Sequence, residues 1–222
     1  MSLLFFAHLF TERMLGSLLG GMILALVAWI ALRLIARQNS RTRFAVWFAT
    51  LLGIAALPFV GRWEAAAGIA RDTAPLIRLP ESWAMYFLIT WATAAGYGLA
   101  RIAVGLWQVR KLRKACRVLD PRTLDVALQN AITEFPGTKP VALCVSDSVR
   151  VPTAIGFGRP AVVLPSWCLQ DLKSDELHAV VLHELQHLRR RDDWSNLLQQ
   201  IVGALFFFHP AVWWLEGRLS LQ

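Results

Sequence analysis

The chain has 222 residues, of which 56% are hydrophobic and 17% charged, with ten Trp, and its mean hydropathy is +0.46. That composition excludes a disordered chain, which cannot bury enough apolar surface to fold, and argues against an ordinary soluble enzyme. The net charge of +8 would suit a nucleic-acid partner or a membrane, and the placement of the charges decides between them.

Three uncharged apolar runs occupy the first half, at residues 14–32, 44–61 and 82–100. Each approaches the ~20 residues that a helix needs to cross a bilayer core, where only a helix satisfies its own backbone hydrogen bonds. None shows the polar face of a soluble helix. The first run is too long for the apolar core of a signal peptide and ends at Arg33 rather than at a small-residue cleavage site, so it reads as a retained span. Arg33, Arg37, Arg41 and Arg43 follow it without an acid, and Arg101, Arg110, Lys111, Arg113, Lys114 and Arg117 follow the third run in the same way. Between the second and third runs, Arg62, Arg71 and Arg78 are balanced by Glu64, Asp72 and Glu81. The positive-inside rule puts the acid-free segments in the cytoplasm, with the N-terminus outside and everything after the third span inside. Trp63, Trp83 and Trp107 stand at span ends, the depth an amphipathic ring prefers. The basic clusters are topology signals first and contacts for anionic lipid second. No nucleic-acid motif accompanies them, so no direct nucleic-acid partner is expected.

The expected layout is a transmembrane region over residues 1–109, a cytosolic α+β domain over 110–194, and a fourth transmembrane or re-entrant helix over 195–222. In the middle region, Asp120-Pro121 predicts a helix start running to about Phe135, with Pro136-Gly137 as its breaker. Residues 141–147, 153–157 and 161–165 are short β-rich runs separated by turn residues, predicting a small sheet. The runs 141–147 and 161–165 would either offer an edge to an extended substrate or only pack the next helix. Ser174 reads as the cap of that helix, with Asp175 and Glu176 in its first turn and Arg189, Arg190 and Arg191 in its last. Residues 201–214 are apolar again and, with 195–200, predict the fourth span, although Asn196, Gln199, Gln200 and His209 interrupt it. Cys116, Cys144 and Cys168 lack C-x-x-C spacing and read as reduced structural thiols.

The capped helix carries His183-Glu184-Leu185-Gln186-His187. At 100° per residue the two histidines fall about 40° apart on one face, a spacing that lets both imidazoles bind one tetrahedral Zn²⁺. Glu184 projects about 60° from His187, beside the metal rather than on it, which suits a general base for a zinc-activated water attacking a peptide carbonyl. A chain with 5 His and 7 Glu produces this pattern by chance about 0.004 times. The plain alternative is a charged helix with two solvated or core-satisfied histidines. His178, about 140° round from His183, reads as a surface residue. His209 reads as packing or as a metal contact. Asp192 and Asp193 are candidates to orient a zinc-bound imidazole or, more simply, to cap the helix at Trp194.

His-Glu-Leu-Gln-His-Leu-Arg-Arg-Arg-Asp at residues 183–192, Phe-Phe-Phe-His-Pro-Ala-Val-Trp-Trp at 206–214 and Val-Pro-Thr-Ala-Ile-Gly-Phe-Gly-Arg-Pro-Ala-Val-Val-Leu-Pro at 151–165 resemble the BlaR/MecR-type membrane metallopeptidases of β-lactam sensing. The resemblance implies a mainly α membrane protein with three to four transmembrane helices and a small cytosolic α+β zincin-like domain of the gluzincin kind, in a bacterial inner membrane. It implies a Zn²⁺ endopeptidase with His183 and His187 as ligands and Glu184 as catalytic base. Its partners would be the lipid bilayer and a protein substrate, a transcriptional repressor inactivated by cleavage. The family's third ligand is a Glu in an acid-rich stretch that would fall beyond Gln222; Glu216 comes too early for it. The family's antibiotic sensors also carry an extracellular sensor domain, which this sequence does not include. Two histidines alone leave zinc under-coordinated, so a catalytically incomplete membrane anchor or signalling scaffold is the alternative from another class. A housekeeping protease resembling the prenyl-protease or heat-shock zincins is the third reading.

Overall fold

A computed structural model describes residues 3–35, 39–66, 80–120, 125–133, 135 and 140–220. The connection at 67–79, the expected helix start at Pro121 and the expected breaker Pro136-Gly137 lie outside them. Two compact units divide the chain: Met1–Arg101 with Gln199–Gln222, and Ile102–Leu198.

The first unit contains helix α1 (Leu3–Leu34), helix α2 (Ser40–Ala66) and the first part of helix α3 (Glu81–Ala115). Each contains one of the three apolar runs and extends beyond it, and these three are long and apolar enough to cross a membrane. Many of their large apolar residues face outward. Leu19, Met22, Ile23, Leu26, Val27 and Ile30 of α1 are all exposed, an arrangement that water penalises and lipid tails favour. The buried stripe of α1 is instead small or slender, with Ala7, Thr11, Ser17, Gly21, Ala25 and Ala28 joined by Met14. Small residues let membrane helices approach closely where no hydrophobic gradient drives them together. Trp47, Leu51 and Ile54 of α2 join the same core. Pro58 lies within α2, a position tolerated in spanning helices because neighbours satisfy the freed carbonyl.

The expected fourth span is not one helix. Helix α7 (Asp192–Leu205) stops, and helix α8 (Pro210–Leu219) starts after a four-residue break. The break follows from His209-Pro210. Pro210 occupies the first turn of α8, where its missing N–H costs nothing, and the His209 Nδ1 accepts the Ala211 N–H at 3.2 Å. On the other side, the indole N–H of Trp91 donates to the Leu205 carbonyl at 2.8 Å, satisfying one of the orphan acceptors at the end of α7. Val202, Phe206, Ala211, Val212, Leu215 and Leu219 then enter the core with α1 and α2.

The second unit is built on a sheet of β1 (Arg117–Val118), β2 (Ala142–Val145), β3 (Thr153–Ile155) and β4 (Ala161–Leu164), in the order β1-β2-β4-β3. β2 and β4 run parallel, pairing Ala142 with Ala161 and Val145 with Leu164, and both outer pairs are antiparallel. Of the two readings of 141–147 and 161–165, packing against the next helix holds and the substrate edge does not, because β2 and β4 are the interior strands and β1 and β3 the edges. All four residues of β4 are buried, which explains a continuous apolar run in place of alternation. One face, with Leu143, Val162 and Leu164, packs on Val181, Leu185 and Leu188 of helix α6 (Ser174–Arg190) and on Leu128 of helix α4 (Val126–Thr133). The other, with Cys144, Ile155 and Val163, packs against Val109 and Leu112 of α3. Burial, with the neighbouring Cys116 thiol, pushes the Cys144 thiol up to about 12, and all three cysteines are free thiols. The backbone carbonyl of Asp125, just outside α4, accepts the N–H groups of Leu128 and Gln129. One helix start differs from expectation. Lys173 precedes α6 and donates its N–H to the Glu176 carboxylate at 3.0 Å, while Ser174 binds the Asp125 carboxylate instead.

Candidate metal centre

Helix α6 sets the geometry. Val181, Leu185 and Leu188 recur at i, i+4 and i+7 and hold one stripe against the sheet. His183 and His187 lie about 200–240° round from Val181, so the fold turns both imidazoles away from the core. Glu184 is half-buried on the flank between the two faces. The Nε2 atoms of His183 and His187 are 3.3 Å apart, and their rings stand at 84°. Two nitrogens at about 2.0–2.1 Å from a tetrahedral zinc lie about 3.3–3.4 Å apart, so the pair already has the separation of two ligands on one ion.

A third side chain controls the second histidine. The carboxylate of Asp192 lies 2.7 Å from the His187 Nδ1, and each side chain keeps over two-fifths of its surface exposed. An ionised Asp192 carboxylate accepts from Nδ1–H, the tautomer whose Nε2 lone pair is open to a metal. Asp192 reaches back because Arg191 turns the chain in the left-handed region at φ 57°, with its N–H bonded to the last carbonyls of α6, those of His187 and Leu188. The neighbouring Asp193 accepts the N–H of Gly156, just past β3, where a Cβ would crowd its carboxylate at 3.1 Å. The expected helix cap at this pair is not found, because α7 begins with Asp192 itself. The two aspartates divide the work, one holding a histidine and the other tying α7 to the sheet.

The remaining candidates stand apart from this pair. His178 is half-buried on α6. His209 is fully buried in the first unit as the cap of α8, with its Nε2 beside Gly21 of α1. Glu216 of α8 belongs to that unit too, against Gly203. Among the described residues no group of three or more His, Cys, Asp or Glu side chains is arranged to hold a metal. The turn at Arg191 had no signal in the sequence, which has neither Gly nor Asn at that position.

Comparison with known proteins identifies relatives. The chain is 25% identical over 136 residues to the regulatory protein BlaR1 of Bacillus licheniformis, covering 61% of this chain and 22% of that protein. It is 27% identical over 75 residues to the methicillin resistance mecR1 proteins of Staphylococcus aureus and Staphylococcus epidermidis, covering 34% of this chain and 13% of theirs. It thus spans under a quarter of the length of these relatives. The family model described as BlaR1 peptidase M56 matches residues 63–221, most of the chain and all of the His183–Asp192 region, so the chain belongs to the BlaR1 peptidase M56 family.

Proposed function

We propose that the chain is the membrane-embedded part of a zinc metalloendopeptidase of the BlaR/MecR type, which transmits a signal by cleaving a cytosolic repressor. The observation that carries this is the His183–His187 pair with nitrogens 3.3 Å apart and Asp192 behind one of them. A solvated helix has no need of that arrangement. His183 and His187 would hold the ion through Nε2, with Asp192 keeping His187 in the ligating tautomer. Bound zinc would supply Lewis acidity to a water and to the scissile carbonyl. Glu184, one residue from His183 and half-buried, takes the proton of the attacking water and passes it to the leaving amine. The antiparallel edge strand β3, packed beside α6, is where an extended substrate backbone adds to the sheet. The acid-free segments after α1 and in α3 support a cytoplasmic sheet unit, and the broken α7–α8 pair supports a re-entrant rather than a spanning passage.

The second reading, a non-catalytic anchor or scaffold, is favoured by one observation: the described residues contribute only two donors to the metal centre. Two measurements separate the readings. The purified chain in detergent should retain zinc that His183→Ala loses, measured by elemental analysis. Glu184→Gln should retain that zinc and lose proteolysis of a repressor or model protein by at least about 100-fold. Equal zinc in wild type and His183→Ala removes the metal assignment, and cleavage that persists in Glu184→Gln removes the role of the base.

A further inference from the structure

The first unit contains a cavity of about 370 Å³ lined by Trp29, Leu32, Arg33, Ile35, Arg43, Trp47 and Arg218. It joins the C-terminal end of α1, the N-terminal end of α2 and the C-terminal end of α8, and includes none of the metal-centre residues. Its size falls in the ~300–1,000 Å³ range of small-molecule sites. Three guanidinium groups around one cavity repel each other, and an anion between them relieves that repulsion. Among the described residues no carboxylate lies within ion-pair reach of any of them. Aromatic rings hold two of them instead. The Arg33 guanidinium sits 4.4 Å over Trp29 and that of Arg218 sits 5.3 Å over Trp214, and Trp214 is itself fixed edge-on against Trp47 at 5.2 Å. A ring face steadies a guanidinium without using its in-plane N–H donors. Trp47 is 3% exposed and its indole N–H has no acceptor among the described residues, so the wall also contains an unspent donor.

The depth of the cavity says what enters it. Arg33 ends the apolar run of α1 and Arg43 opens that of α2, so the three arginines lie at the level where spans leave the hydrocarbon and headgroups begin. Planar forked donors match phosphate oxygens in pairs, and basic pockets between helix ends at this depth suit phospholipid headgroups. We propose that this cavity binds the phosphodiester headgroup of an anionic lipid, as a discrete site that bridges α1, α2 and α8. The site rests on the reading of α1 and α2 as membrane spans and is independent of the metal centre.

Native mass spectrometry of the full chain, released from micelles containing phosphatidylglycerol or phosphatidylcholine, tests it. The wild type should retain one phosphatidylglycerol in preference to phosphatidylcholine. Arg33→Gln, Arg43→Gln and Arg218→Gln should each weaken retention about fivefold, about 1 kcal/mol per charge, while Arg101→Gln, exposed on α3, leaves it unchanged. Equal retention of both lipids by the wild type overturns the proposal without recourse to any variant, and so does an Arg101→Gln loss as large as the others. Displacement of the lipid by millimolar inorganic phosphate would assign the site to a free anion and overturn the lipid source. Zinc content is read separately, so failure here leaves the metal centre standing.

Discussion

At the scale of single residues, Asp192 is the side chain whose role is most exposed to test. Its carboxylate touches His187 Nδ1, so under the proposed zinc reading it acts as a positioning residue. Outer-shell partners of ligating histidines typically contribute 10–100-fold to metal affinity. Asp192→Asn should therefore weaken zinc binding by about that factor, measured by competition against a chromophoric chelator, while the circular dichroism spectrum stays that of wild type. Asp192→Glu should recover part of the affinity, since the longer acid still accepts from Nδ1. A purely structural role for Asp192 would instead lower thermal stability in both variants and leave the zinc affinity of the folded fraction alone. Asp193 serves as the internal contrast. Its bond to Gly156 joins α7 to the sheet, so Asp193→Asn acts on stability before it acts on metal.

Elements show why part of this was legible in the sequence and part was not. The histidine pair was readable because both residues lie on one uninterrupted helix, where spacing alone fixes their relative direction. Asp192 was only a candidate, because its reach depends on the left-handed turn at Arg191, and nothing in Arg-Arg-Arg-Asp marks one of three arginines for that conformation. The interior strands were readable as apolar runs, but which strands form edges is set by long-range pairing: β4 inserts between β2 and β3, and composition does not encode that. The expected fourth transmembrane or re-entrant helix is not continuous for a local reason, because hydropathy averages over a break made by one capping histidine and one proline. The same histidine gives a test at this scale. Gly21 has no Cβ where the His209 ring passes, whereas a Cβ at Gly16 would meet nothing within 4 Å. Gly21→Ala should lower the thermal stability of the detergent-solubilised chain by about 1–3 kcal/mol of overpacking. Gly16→Ala should leave it unchanged or raise it slightly, as Ala is the better helix former. Equal effects of the two substitutions would mean that the close approach of α1 to His209 is not what holds α8.

For the whole molecule the decisive quantity is the sidedness of charge. Ten Arg and Lys residues in two acid-free segments exceed the net charge of the entire chain, and by the positive-inside rule they predict that the sheet unit is cytoplasmic. The native thiols suit a direct measurement, because Cys116, Cys144 and Cys168 all belong to the sheet unit. With Cys144 raised to about 12 and Cys168 also raised by burial, neither forms the reactive thiolate near neutral pH, which keeps the background low. Leu3 and Ser40 are both exposed and flank α1 on opposite sides. In spheroplasts treated with a membrane-impermeant maleimide, Leu3→Cys should label at once and Ser40→Cys only after lysis, with Cys116 following Ser40. The reverse order would put the sheet unit, and the histidine pair with it, outside the cell. The zinc chemistry would survive that result, whereas cleavage of a cytosolic repressor would not, because substrate and metal centre would then lie on opposite sides of the membrane.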